Sequence, residues 1–343
     1  MRWRSFPFLL LMLATACDIP TELPRWNPTF AVPLEPISIP LAQLLPAGVA
    51  LTPAGSAFVV SLPPVNIRAR LVELCGACGT LDGQIVSKPA FTGSSTARIP
   101  MPRDVISGTF TGGVVQFTIT NGWTFDPLRP GGGQLGTMIL RPAAQPIEGG
   151  SAVVSGQTRA FPPGATLTES VPIAPATLES LPLEVHLASP AGDPVLIDGQ
   201  SALTMTIAPL DLIASSVRVQ VGARQLTSPQ VPIDLTGVDD VVVRRVNGGM
   251  LRLTIANGFD VAGNMTLTLA GGLMPVVKTF TLQAGETAGE VMLTEAELKS
   301  ILGQSVVASL TGLMTTNGAV RLTPASVFSI EWLLVLEMGS ATP

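Results

Sequence analysis

The segment Cys75-Gly76-Ala77-Cys78 is the residue spacing that most invites chemistry. Two thiols three positions apart can close a disulfide, exchange disulfides with a substrate, or supply half of a zinc site. Zinc would want a second pair of ligands, and the chain holds only three cysteines and one histidine. A redox role would want the motif opening a helix in a βαβ unit, whereas Gly79, Asp82 and Gly83 follow it, all turn residues. A structural disulfide between Cys75 and Cys78 is therefore the expectation, with metal and redox roles as its alternatives. His186 is the lone imidazole that a Ser-His-Asp site would have to use. It lies in the alternating stretch Leu183-Glu184-Val185-His186-Leu187, opposite Val185, with no G-x-S-x-G elbow or S-x-x-K motif in the chain. That is the pattern of a solvent-facing strand residue. Glu286, Glu290, Glu295 and Glu297 gather enough carboxylates for a weak calcium site, yet no D-x-D-x-D-G loop accompanies them. Solvated acids and helix N-terminal charges account for them, and for Asp239-Asp240 as well. Gly131-Gly132-Gly133 lacks the Lys-Ser/Thr and the following helix of a phosphate cradle, so it reads as a loop. Trp26, Trp123 and Trp332 read as packing residues in preference to a carbohydrate platform. No catalytic constellation, metal set or cofactor motif emerges, so the chain is expected to be a non-enzyme without cofactor, and no ligand-binding residue is assigned.

The N-terminus carries a different chemistry. Arg2 and Arg4 precede a short apolar run from Phe6 to Ala14, and then Leu13-Ala14-Thr15-Ala16-Cys17. A run this short does not span about 30 Å of hydrocarbon as a permanent helix, so residues 1–16 read as a removable signal peptide. The pattern Leu13 to Cys17 resembles the lipobox of bacterial lipoproteins, with Ala14 where leucine is commonest. The resemblance implies that the Cys17 thiol receives a diacylglyceryl group and becomes the first mature residue. The alternative is an ordinary secretory signal with an incidental cysteine. Residues 17–29, with prolines at 20, 24 and 28, then form a lipidated extended tether. Localisation in a bacterial cell envelope follows, with outer membrane or cell surface favoured over inner membrane.

These positions need a scaffold, and the rest of the chain reads as antiparallel β-structure. Period-two alternation recurs at Val115/Phe117/Ile119, Val217/Val219/Val221, Leu251/Leu253/Ile255 and Met265/Leu267/Leu269. Asn-Gly and Asp-Gly pairs at 121, 247, 257, 317, 82 and 198 punctuate these runs and are expected to form tight hairpin turns at positive φ. One helix is predicted after Thr294, which makes a capping box with Glu297 and leads an apolar stripe at Leu298, Ile301 and Leu302.

An internal repeat organises the whole. Gly112 to Trp123 aligns with Gly248 to Phe259, and Ile99-Pro100-Met101 with Val231-Pro232-Ile233. Further on, Val171, Ile173, Leu178 and Leu181 align with Val291, Leu293, Leu298 and Ile301. A partial third copy pairs Ser56–Leu62 with Ser201–Ile207. The expected organisation is an N-terminal half unit over 30–98, one β-repeat unit over 99–228 and a second over 229–343. The fold class is all-β: tandem antiparallel β-sandwich-like repeats with one or two short helices. The Asn-Gly-aromatic end of each repeat resembles the LEA14-like (WHy) β-sandwich over fewer than twenty residues, and no function is carried across from it.

Composition bounds the function. Of 343 residues, 13% are charged and 46% apolar, and 19 basic against 24 acidic residues leave a net charge of −5. This balance lacks the basic footprint of a nucleic-acid binder. Aromatics at 5% and no tyrosine do not supply the girdles of a membrane barrel. The reading that remains is a non-enzymatic, membrane-anchored lipoprotein whose β-repeats serve as a structural or partner-binding module. The alternative is a carrier of a lipid or other apolar ligand. An enzyme working through dispersed carboxylates is the third class.

Overall fold

The computed structural model describes residues 29–143, 150–285, 287–316 and 318–339. The expected signal peptide, Cys17 and nearly all of the tether lie outside the described residues, as does Glu286. The N-terminal part carries β1 (Thr29–Pro33), β2 (Ile37–Ile39), β3 (Val49–Leu51), β4 (Phe58–Val60) and β5 (Val65–Arg70). A one-turn helix, α1 (Leu71–Leu74), leads through a 3-10 turn at Gly76–Gly79 to β6 (Ile85–Ser87) and β7 (Phe91–Pro100). Next come β8 (Val105–Asn121), β9 (Thr137–Pro142), β10 (Ala152–Ser155), β11 (Thr166–Pro172) and β12 (Ala176–Leu178). They are followed by β13 (Ser180–Ser189), β14 (Pro194–Leu196) and β15 (Ala202–Val219). The last third holds β16 (Arg224–Thr227), β17 (Val231–Asp234), α2 (Asp240–Arg245), β18 (Val246–Asn257), β19 (Val261–Ala270) and β20 (Val276–Leu282). It closes with β21 (Ala288–Thr294), α3 (Glu295–Ile301), β22 (Ser305–Thr316), β23 (Val320–Leu322) and β24 (Phe328–Met338).

The chain is all-β, 56% strand and 8% helical. In the first sandwich one sheet runs β10-β9-β13-β7 and the other centres on β11-β8-β15, to which β3, β4, β5 and β12 add. In the second, β1-β24-β18-β21, with β2 also on β24, is one sheet; β22-β19-β20, flanked by β16 and β17, is the other. The alternating apolar residues of both are buried in one continuous core, including Val115, Phe117, Ile119, Leu251, Leu253 and Ile255. Burying each such side chain contributes about 1.5–3 kcal/mol.

The sequence repeat is also a repeat of hydrogen-bond register. Val115 of β8 faces Val171 of β11, and its counterpart Leu251 of β18 faces Val291 of β21. On the other side, Ile119 faces Met205 and Ile255 faces Ile330. After β11 and β21 the copies diverge. The capping box Thr294/Glu297 starts α3 as expected, while the matching stretch around Pro175 is extended and forms β12. Leu178 and Leu181 are nevertheless buried, as are Leu298 and Ile301. The same apolar positions reach the core by strand in one copy and by helix in the other.

The half unit expected over 30–98 is divided between the two sandwiches. β1 and β2 add to β24, β5 and β4 add to β15, and β7 pairs with β13. Strand β23 of the second unit pairs with β15 of the first, tying them together. The Asn-Gly turns also need correction. Only Gly83 and Gly318 of the six named dipeptides take positive φ. Gly122 and Gly258 are needed for close approach. Their amides donate to Ala202 O and Val327 O, and a Cβ there would sit 2.4 and 2.8 Å from those oxygens.

Candidate functional site

Each residue singled out for chemistry can now be placed. Cys75 ends α1 and Cys78 lies in the following turn; both are buried, and their Sγ atoms are 2.03 Å apart, at bonding distance. The knuckle presses on edge strand β7, where a Cβ on Gly93 would come within 2.7 Å of Leu74 O. This is a packed structural corner with no open thiol. His186 sits on β13 between Ser94 and Ile139 of its neighbours, opposite in facing to buried Val185. Among the described residues no three His, Cys, Asp or Glu side chains come together as a metal site.

The acidic cluster dissolves into separate ion pairs. Glu290 faces Arg252 at 3.5 Å, Glu295 holds Lys299 at 2.5 Å, and Glu297 meets Lys278 at 2.8 Å. Burial alone would raise the Glu297 carboxyl, but the Lys278 ammonium and the Thr294 amide and hydroxyl hold it below its ordinary value. Asp239 caps α2 by accepting from Val241 N. The three glycines 131–133 all have positive φ, and a Cβ on Gly131 would strike the Asp193 carboxylate. They form a tight turn seated on that side chain.

The tryptophans are packing residues. Trp332 is buried and its Nε1 donates to Glu35 O. Trp123 is buried edge-on to Phe91 at 5.8 Å and beside Phe125 at 5.5 Å, and Trp26 is outside the described residues.

Two arrangements escaped the sequence reading. The first is Lys88, 1% exposed, whose Nζ lies 4.8 Å from the centre of the Phe91 ring and 5.4 Å from that of Phe125. It donates to Pro89 O at 2.9 Å and to Pro190 O. Burial pulls its ammonium down to about 8, while ring faces and carbonyls hold the charged form. The lysine straps the β6–β7 link to the segment after β13. A shallow cleft of about 430 Å³ opens beside it, lined by Phe91, Thr92, Leu135, Thr137 and Pro190 among others. Nothing in the polar loop sequence Ser87-Lys88-Pro89 signals this burial.

The second lies on the outer face of the large sheet. Arg218 of β15 faces Arg321 of β23 directly, and Arg321 Nε donates to the Ser216 hydroxyl at 3.1 Å. Ser107, Thr109, Thr177 and Glu179 complete the walls of a depression of about 630 Å³. Like charges opposed across a sheet are destabilising, and these two guanidiniums could share an oxyanion. Arg218 was legible as an outward residue between Val217 and Val219, but its partner comes from a strand a hundred positions away.

Within the first sandwich, an apolar gap among Leu62, Met101, Phe110, Ile173, Leu178, Leu181 and Leu212 has no room for a water molecule. No helix among the described residues is long and apolar enough to cross a membrane. No protein-family model matches the chain, and no curated protein matches it. A crystal structure of a protein described as secreted, from Parabacteroides distasonis, aligns over 91% of this chain and 100% of its own. The identity is 10% and the TM-score 0.32.

Proposed function

We propose that the chain is a non-enzymatic lipoprotein of the bacterial cell envelope, anchored through Cys17, whose two β-sandwiches act as a structural and partner-binding module. The observation that supports it best is the packing of the duplicated cores. Both copies fill their interiors with their own side chains, and the apolar gap in the first has no room even for water. A carrier of an apolar ligand needs a cavity of several hundred Å³. Asp239, Glu290, Glu295 and Glu297 are each engaged separately, in a helix cap or an ion pair.

Two measurements test the reading. Metabolic labelling with an alkyne fatty acid should tag the chain, and Cys17→Ser should abolish the tag and move the protein from the membrane fraction to the soluble one. Native mass spectrometry of the chain extracted from its own membranes should show no stoichiometric small molecule. A retained lipid at one equivalent would restore the carrier alternative.

A further inference from the structure

One end of the second sandwich gathers several independent features. Thr29, where the chain from Cys17 arrives, pairs with Glu337 near the end of β24. Val246 at the start of β18 pairs with Met338, and Gly248 lies between Glu337 and Thr294, from which α3 springs. The β19–β20 loop is pinned to the same end. Leu273 N donates to Ser300 O at 2.9 Å, and a Cβ on Gly272 would lie 2.2 Å from that oxygen. Helix α2 packs on α3 here too. The other end of β22 leads to the first sandwich, where Thr316 N donates to Val221 O.

The tether end exposes large apolar side chains. Leu273 is 77% exposed, Met274 61%, Phe30 45% and Val241 43%. Leu273 and Met274 are adjacent at the tip of a loop whose backbone is held in place. Charge at this end is close to balanced. Arg244 and Arg245 end α2, Asp239 and Asp240 begin it, Glu337 stands nearby, and Glu295 and Glu297 are taken up by Lys299 and Lys278. Apolar tips among paired charges favour the interfacial layer of a bilayer over an oppositely charged partner.

Chain length supplies the occupant. The link from Cys17 to Thr29 reaches at most about 40 Å when fully extended, so an acylated Cys17 keeps this end, of all the molecule, within that distance of the lipid. We propose that the tether end of the second sandwich is a membrane-docking surface, with Leu273 and Met274 inserted among the headgroups and Phe30 and Val241 beside them. The inference rests on the anchoring of Cys17 proposed above. It orients the molecule, with the second sandwich on the lipid and the first held away from it.

The test closes the tether chemically, so that it does not depend on how the cell treats Cys17. The chain from Cys17 onward, with Cys75 and Cys78 left oxidised, is coupled through Cys17 to maleimide-phosphatidylethanolamine in phosphatidylcholine vesicles bearing brominated acyl chains. Trp26→Phe removes the indole within the tether. On that background Leu273→Trp should lose about half its added emission to bromine quenching and shift to the blue. Ile85→Trp, on β6, which pairs with β14 in a separate two-stranded sheet and is 75% exposed, should be unaffected, and adding Met274→Asp to Leu273→Trp should relieve the quenching. Equal emission of Leu273→Trp in brominated and plain vesicles, or quenching of Ile85→Trp alone, would overturn the proposal. The mass of the N-terminal peptide from cells reads the anchoring separately. An unmodified thiol there would refute native lipidation and leave the vesicle result standing.

Discussion

Asn121 and Asn257 occupy matching places at the ends of β8 and β18, yet their surroundings differ, and the difference fixes an order of stability. Asn121 is fully buried. Its Nδ2 donates to Phe125 O at 2.9 Å and to Phe161 O at 2.7 Å, and its Oδ1 accepts from Trp123 N at 2.9 Å. Asn257 is half-buried and makes two such bonds, both with Val261, at 2.8 and 3.2 Å. The bond from Nδ2 to the carbonyl four residues on is common to both. A net hydrogen bond is worth roughly 1 kcal/mol, and about 1–2 kcal/mol where its loss leaves a buried partner group unpaired. Asn121→Ala should therefore cost about 3–6 kcal/mol, and Asn257→Ala about 2 kcal/mol. Each sandwich has its own reporter, Trp123 in the first and Trp332 in the second. Urea unfolding of the chain from Cys17 onward followed by tryptophan emission, with Trp26→Phe combined with Trp332→Phe or Trp123→Phe isolating one signal, reads each unit. With a urea dependence of about 2 kcal/mol per molar, the Trp123 midpoint should fall by roughly 1.5–3 M and the Trp332 midpoint by roughly 1 M. Equal shifts, or a larger one in the second sandwich, would refute the assignment of stability to the buried asparagine network.

Other perturbations follow from the same contacts. Gly122→Ala places a Cβ 2.4 Å from Ala202 O and Gly258→Ala one 2.8 Å from Val327 O; the first should lose about 2–3 kcal/mol and the second less, by the same urea assay. Lys88 has a folded-state pKa of about 8 against an ordinary 10.5. The unfolded chain thus binds more protons between those values, and stability should climb as pH rises from 8 towards 10.5, by at most about 3 kcal/mol. Thermal melts across that window should show the climb in the native chain and none of it in Lys88→Met. Cys75→Ser with Cys78→Ser opens a four-residue loop whose closure is worth about 2 kcal/mol; a drop in the Trp123 midpoint larger than that in the Trp332 midpoint is the expected result.

Much of this architecture was legible because it depends on local pattern. Alternation marked the faces of β8, β18 and β19, and the Thr294/Glu297 box marked the start of α3, since each is decided within a few residues. The matching register was legible because pairing follows the apolar pattern, so Val115 opposite Val171 has its counterpart in Leu251 opposite Val291. What stayed hidden depends on distant partners. The glycines after Asn121 and Asn257 imitate hairpin turns, although a carbonyl from a strand some seventy to eighty positions away is what excludes a Cβ. Lys88 lies in a polar loop sequence, and its burial is set by Phe125 and Pro190. The Arg218–Arg321 depression requires β23 to cross between units. None of these partners can be located from a window of ten residues.

The pairing of β1 with β24 sets the order in which the protein can be completed. Thr29 and Glu337 stand some three hundred positions apart, with Thr29 made early and Glu337 late, yet they are neighbours in one sheet. The first sandwich has all its strands but β23 once β15 has been made, so it can form while the rest of the chain is still being synthesised. β1 and β2 must wait as unpaired strands until β24 arrives to cover them. Contacts between such distant segments form slowly, and unpaired strands are where chains stick to one another. A truncation that removes β24 should thus leave a folded first sandwich with adhesive N-terminal strands. The second half of folding, in this molecule, is a wait for β24.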